Sequence, residues 1–242
     1  TMKKAFLLVM AISILFCAGG SEALEEKRLA EKIGISMLSL FSPDSIKVRI
    51  SDGSVKAWIE MGGGTIDRIR IEKIRLSAEL ESMPSAARIN SESSKLEEII
   101  KNSVGEITLA EKDVNDHFRN NENPEGFSGL RFDFKEGGFA AAGTFKTKYF
   151  LNVALPIAAN GILALHNNAV YLENVVISVK GISQPELLSN IVISKINPLL
   201  EFKDIPFPVS FESIIMTESA AIMTGKPQEF KGGETWTWNM PK

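Results

Sequence analysis

Residues 130–165 decide the fold, and they read LRFDFKEGGFAAAGTFKTKYFLNVALPIAANGILAL. Apolar and polar side chains alternate from Leu130 to Lys135, and Gly137-Gly138 then separates this segment from the next apolar one. A period of two is typical of strands with one buried face, and paired glycines favour a hairpin turn. The stretch therefore predicts an antiparallel meander, which the alternating segment over 170–179 extends.

The segment from Leu151 to Leu165 has apolar or small residues on both faces, apart from Asn152 and Asn160. A strand of this kind is either enclosed in a core or lines a cavity on one side. We predict that Asn160-Gly161 forms a turn within it. Strand parity selects the side chains that would face a bound apolar ligand: Phe132, Phe134, Phe145, Leu151, Val153, Leu155 and Ile157.

Helices are predicted on both sides of the meander. From Leu24 to Phe41, apolar side chains recur every three or four residues, which is the period of an amphipathic helix. Ser94 and Glu97 have the spacing of a capping box and predict a helix that continues to Val104. The same spacing of threonine and glutamate at 108 and 111 predicts a second helix, and a third is predicted over 185–196.

The first 23 residues have the layout of a secretory signal peptide. Lys3-Lys4 precedes a short apolar run from Ala5 to Phe16, and Ser21 and Ala23 suit a cleavage site. A lipoprotein anchored through Cys17 is the alternative, but a phenylalanine precedes that cysteine where a small residue is expected. A membrane span is a second alternative. We predict export to the periplasm or cell envelope.

The sequence after this segment favours one α+β domain over residues 24–225, followed by a C-terminal tail over 226–242. Trp236 and Trp238 in the tail suit either an edge strand or contact with a membrane. The whole chain carries 27 basic and 30 acidic residues without a basic block. This balance argues against a nucleic-acid partner and leaves apolar contact as the main attraction to a membrane.

Few residues suit catalysis. His117 and His166 are the two histidines, and the single cysteine lies in the predicted signal peptide. Neither histidine has the spacing of a zinc site or an obvious nucleophile beside it. We therefore predict no catalytic residue, no metal and no cofactor. An acid–base hydrolase with paired carboxylates and an envelope protein that binds a partner through a sheet edge remain open alternatives.

Several segments resemble the LmeA-like phospholipid-binding proteins of bacterial envelopes, and the likeness covers residues 24–225. It rests on element order and on short apolar motifs: Thr108–Glu111, Val114-Asn115, Gly137-Gly138, Ile196–Pro198, Ile205–Phe207, Ile214–Met216 and Ala221–Gly225. The resemblance implies a strongly curved antiparallel sheet, a roll or half-barrel, packed around long amphipathic helices with an apolar groove. It also implies non-enzymatic binding, and transfer, of a phospholipid or another acyl-chain ligand.

Overall fold

The computed structural model describes residues 2–81, 95–119, 126–147, 153–184 and 186–241, with side chains from residue 22 onward except those of 52, 147, 153, 187 and 188. The helices are α1 (Met2–Phe41), α2 (Leu96–Ile99), α3 (Glu111–Arg119) and α4 (Glu186–Ile193). The strands are β1 (Ser45–Ile50), β2 (Lys56–Gly62), β3 (Thr65–Ile66), β4 (Ile69–Arg70), β5 (Lys73–Leu80), β6 (Ile100–Ala110), β7 (Phe127–Lys135), β8 (Gly138–Thr147), β9 (Val153–His166), β10 (Ala169–Val179), β11 (Ile182–Ser183), β12 (Leu200–Glu201), β13 (Ser213–Met216), β14 (Ala220–Thr224) and β15 (Glu234–Asn239).

Sheet I is the larger of the two main sheets. Its seven antiparallel strands have the order β13-β14-β6-β5-β2-β1-β15. Alternate residues of β1 point to the inner face, so that Ile46, Val48 and Ile50 are buried while their neighbours are half-buried. Helix α1 packs on this face and buries Leu29 and Ile33 completely. The inward-facing side chains of β1 and the apolar face of α1 therefore pack together in one core.

The C-terminal residues belong to sheet I. Strand β15 pairs with β1, and the ring of Trp236 packs so closely on Gly34 of α1 that a Cβ atom there would collide with it. Residues 225–233 run from β14 to β15 as a strap across the outer face of the sheet. Arg49 holds the strap through Glu229 at 2.9 Å and through the carbonyl oxygen of Phe230 at 2.8 Å.

Sheet II is formed by the meander. Its strands have the order β11-β10-β9-β8-β7, and β12 also pairs with β10. The predicted hairpin at Gly137-Gly138 is confirmed, because β7 and β8 pair directly on either side of it. One face of the sheet is buried beneath α3 and α4. The opposite face is more exposed, and Ala142, Ala158 and Val176 lie on it.

The predicted fold class is wrong. Neither sheet closes or curls strongly into a roll or half-barrel, and no set of long amphipathic helices lies inside one. The meander forms a sheet separate from the N-terminal strands. The strands therefore do not form the single, strongly curved sheet that was predicted. Helices α2, α3 and α4 have only four, nine and eight residues. Helix α1 is long but includes the apolar run over 5–16, so it is not amphipathic along its whole length.

Two local predictions also fail. The helix expected to continue to Val104 ends at Ile99, because β6 begins at Ile100 and pairs with β5 along its length. The turn expected at Asn160-Gly161 is absent, since β9 runs through both residues. Gly161 is required there by close packing, because a Cβ atom would lie 2.8 Å from the carbonyl oxygen of Glu173. Among the described residues, no helix combines the length and the apolar character that a bilayer span needs.

Candidate apolar ligand site

A narrow space between sheet II and α4 is the strongest candidate site, and we call it the trough. All of its lining side chains in the described part of the chain are apolar. They are Phe127, Leu130, Phe132, Phe139, Ala141, Ile157, Ala159, Leu172, Val175 and Ile177 of the sheet, with Val192, Ile193 and Ile196 from α4 and the turn after it.

The trough exists because small residues occupy the middle of a covered sheet face. The strand register places Phe132, Ala141, Ala159 and Ile177 in one row across four strands. Phe132 and Ile177 are buried and form the two walls, whereas the two alanines form the floor. Large side chains normally fill a sheet face that a helix covers, because interiors are closely packed. The paired alanines leave a space in the sheet face, and the side chains of Val192, Ile193 and Ile196 border it from above.

The trough is nearly filled by α4 in this conformation. Its free volume is about 20 Å³, which is room for little more than one water molecule. Pockets that hold drug-sized ligands have volumes of about 300–1,000 Å³. A ligand with an alkyl chain therefore cannot enter unless α4 moves away from the floor.

Asparagine side chains fix the two edges of sheet II. On the β7 edge, the side chain of Asn115 accepts a hydrogen bond from the Phe132 amide at 2.7 Å and donates one to the Phe132 carbonyl oxygen at 2.8 Å. On the β10 edge, Asn197 bonds to the amide and carbonyl of Leu172 in the same way, at 2.8 and 2.9 Å. The side-chain amide of each asparagine thus makes the pair of hydrogen bonds that the backbone of a neighbouring strand would make. Asn197 also ties the chain after α4 to the sheet.

The predicted ligand-facing residues are only partly brought together. Phe132 and Ile157 line the trough. Phe134, Phe145 and Leu155 share the same sheet face but lie outside the lining. The remaining two predicted positions cannot be placed, since residue 151 and the side chain at 153 lie outside the described part. The odd-numbered residues of β9 do face the covered side of the sheet.

Sequence reasoning missed the floor and the roof of the trough. Ala141 and Ala159 form the floor, and Val192 and Ile193 of α4 form most of the roof. The two alanines were missed because the ligand-facing residues were chosen among large apolar side chains. The apolar side of the helix was visible in the sequence, but its packing partner was not, because sequence periodicity shows which face is apolar and not what that face contacts.

The titratable groups do not form an obvious catalytic arrangement among the described residues. His166 Nε2 lies 2.7 Å from Glu173 Oε1 on the exposed part of sheet II, and the ring of His117 packs edge-on against Phe118. Burial raises the pKa of the Asp113 carboxyl, although Arg70 partly opposes this with its Nε 3.9 Å away. No group of three or more metal-ligating side chains occurs in the described ranges.

The outer face of sheet I carries a shallow polar depression of about 590 Å³. Two of its charged side chains pair with each other, since Lys73 lies 2.8 Å from Glu60. Beside the depression, Arg75 lies 2.9 Å from Glu106. The hydrogen bond from Lys73 is the main cause that lowers the pKa of Glu60. Because the depression is shallow and open to solvent, it is a weaker ligand site than the trough.

Comparison of the chain with protein-family models, with curated proteins and with solved structures finds no match. The resemblance to LmeA-like proteins therefore stays a prediction from short motifs.

Proposed function

We propose that this protein binds the hydrocarbon part of a lipid in the trough between sheet II and α4, without catalysing a reaction. The observation that carries the proposal is the paired-alanine floor beneath a short helix, in a site whose described lining is entirely apolar. The signal peptide predicted over residues 1–23 supports a role in the cell envelope, where lipids are the abundant apolar ligands.

The energetics of such binding are favourable once the helix has moved. Burial of one methylene contributes about 0.8 kcal/mol, so ten methylenes contribute about 8 kcal/mol. Association itself costs at least about 4 kcal/mol in lost freedom of motion. The alkyl chain also replaces the contacts that Val192, Ile193 and Ile196 make with the floor, so the sheet face stays covered after α4 is displaced.

Helix α4 is suited to be the part that moves. It has eight residues, and an isolated helix of that length is not stable in water. Among the described residues, it is held on the sheet by the apolar side chains of Val192 and Ile193, by the Gln184 amide just before the helix, and by Asn197 just beyond its C-terminal end. The floor of the trough belongs to β8 and β9, whose backbones are paired with strands on both sides. Displacement of α4 therefore leaves sheet II intact.

Two neighbouring alanines of β9 provide a matched test. Ala159 lies on the trough floor, whereas Ala158 lies exposed on the opposite face. We expect Ala159→Phe to weaken binding of a fluorescent fatty acid at least tenfold, because the ring fills the space that the chain would occupy. Ala158→Phe should bind within about twofold of the unmodified protein.

The melting temperature of both variants must be measured first, because overpacking at Ala159 against α4 costs about 1–3 kcal/mol. Binding is then compared at a temperature where both variants are folded. The proposal fails if the unmodified protein binds no fatty acid, or if a folded Ala159→Phe variant binds as well as the Ala158→Phe variant.

A further inference from the structure

The trough has two unlike ends. At one end Leu163 and Leu172 are buried, whereas Ile157 and Val179 toward the other end are only partly buried. Ile182 of β11, which pairs with Val179, is 71% exposed. We call the partly exposed end the mouth and define it by Leu155, Ile157, Val179 and Ile182.

The buried end offers apolar side chains and backbone that already has partners. Aromatic contacts run along the β7 wall: the ring of Phe132 lies 5.5 Å from that of Phe118 and 5.6 Å from that of Phe139, and the rings of Phe127 and Phe145 lie 5.0 Å apart nearer the mouth. At the buried end, Asn197 occupies the edge of β10 beside Leu172. A polar head group at this end would meet no free donor or acceptor among the lining side chains, and burial of an unpaired polar group is unfavourable.

The floor is also narrow. It is two strands wide, since Ala141 and Ala159 pair directly between the larger walls Phe132 and Ile177. Adjacent strands lie about 4.8 Å apart. The backbones of the two wall strands are therefore about 14 Å apart, and the Phe132 ring and the Ile177 side chain occupy part of that width. The free volume beneath α4 is only about 20 Å³, so a second alkyl chain requires a larger displacement of the helix than a single chain does.

We infer that the trough takes single-chain amphiphiles tail first, with the polar head group held outside at the mouth. This inference rests on the proposed function and narrows it to one ligand class and one direction of insertion. Alkyl chains that carry a carboxylate or a phosphodiester head fit it equally, since the head contacts solvent in either case. The N-terminal end of α4 lies toward the mouth, and the preceding Gln184 donates its amide to the Ile177 carbonyl oxygen at 2.8 Å. Asn197 holds the other end, so the helix is tied to β10 on both sides of the part that a ligand would displace.

Spin-labelled fatty acids test the direction of insertion. In a Cys17→Ser background, which leaves no other cysteine, Ile182→Cys carries a fluorophore at the mouth. Val176→Cys carries the same fluorophore on the opposite face of β10 as the matched control. Stearic acid with a nitroxide on carbon 5 should quench the mouth fluorophore at least twice as strongly as stearic acid with a nitroxide on carbon 16. The control fluorophore should show no such preference.

Competition tests the ligand class. Lysophosphatidylcholine should displace the labelled stearic acid at a concentration at least tenfold lower than a phosphatidylcholine with two acyl chains does. Equal competition overturns the single-chain assignment, and stronger or equal quenching from carbon 16 overturns the direction. Absence of stearic acid binding in the unlabelled protein, measured by calorimetry, instead defeats the proposed function itself.

Discussion

The helix-covered faces of sheets I and II are packed differently. The inner face of sheet I carries large buried residues such as Ile59 and Met61, and the long helix α1 covers it. The covered face of sheet II carries alanines in its middle row, and in the described part of the chain the short helix α4 lies above them. Sheet I is thus closely packed beneath a long helix, whereas the proposed ligand site of sheet II lies beneath a short one.

The outer faces differ as well. Sheet I presents paired charges and is crossed by the strap over 225–233, beneath which Trp58 is almost fully buried. The outer face of sheet II presents small apolar side chains, including Ala142 and Ala158, and they are exposed. The contrast is consistent with the proposed function, in which sheet I supplies stability and the covered face of sheet II binds the ligand.

The largest expected difference is between core truncations in the two sheets. Ile59→Ala in sheet I should lower the free energy of unfolding by about 2–5 kcal/mol, because it leaves a cavity in a rigid core. Ile157→Ala in sheet II should cost only about 1 kcal/mol, because its side chain is half-buried and α4 can settle into the space. Urea unfolding measures both. Ile215→Ala, at an exposed site on β13, is the control. Equal losses in the two sheets would contradict the division of tasks.

A smaller difference is expected between the two asparagines at the edges of sheet II. Asn115→Ala leaves the buried amide and carbonyl of Phe132 without partners and should cost about 2 kcal/mol. Asn197→Ala breaks the equivalent bonds to Leu172, but these are only partly buried, so water can replace them and the loss should be about 1 kcal/mol.

Ligand binding separates the roles of the two asparagines further. Asn197→Ala should increase the association rate of a fluorescent fatty acid, because it loosens α4, whereas Asn115→Ala should leave that rate unchanged. Identical losses of stability and identical binding rates for the two alanine variants would show that α4 is not held through Asn197.

Much of the local structure follows from the sequence. Alternation along 130–135 correctly shows which residues of β7 share a face, because a period of two is a property of every strand. Along β9 both faces carry apolar or small residues, so the sequence gives no such alternation, and the turn predicted at Asn160-Gly161 is wrong. The separation into two sheets does not follow, since it depends on pairings such as that of β15 with β1, whose members lie far apart in the chain. Periodicity holds no information about which strand becomes the neighbour.

The candidate site was predictable only in part, for a similar reason. Phe132 and Ile157 stand out as large apolar residues on strands, and both line the trough. The floor depends on Ala141 lying directly opposite Ala159, and that register appears only when the hairpins have formed. The roles of Asn115 and Asn197 could not be predicted either. In the sequence, an asparagine whose side chain hydrogen-bonds to the edge of a strand cannot be distinguished from an asparagine in a loop.

The smallest expected effect concerns two carboxyl groups with opposite pKa shifts. Burial raises the pKa of Asp113 near the start of α3, at the junction with sheet I, whereas the hydrogen bond from Lys73 lowers that of Glu60 on the open outer face. Ionised Asp113 therefore reduces stability, and the reduction develops as pH rises from its ordinary value of 3.8 through the raised value. Ionised Glu60 contributes stability above its ordinary value of 4.5, which is lost as pH falls through the lowered value.

The two amide variants should consequently change stability in opposite directions at pH 7. Asp113→Asn should raise the free energy of unfolding by less than about 1 kcal/mol, because a neutral amide avoids the cost of a buried charge even though it loses the attraction to Arg70. Glu60→Gln should lower it slightly, because the pair with Lys73 is lost. Below pH 3.8 the advantage of Asp113→Asn should vanish, and the deficit of Glu60→Gln should vanish in still stronger acid. Urea unfolding across this pH range measures both. An Asp113→Asn variant that is less stable at pH 7 would mean that the ion pair with Arg70 outweighs burial, and that the junction is held by charge as the outer face of sheet I is.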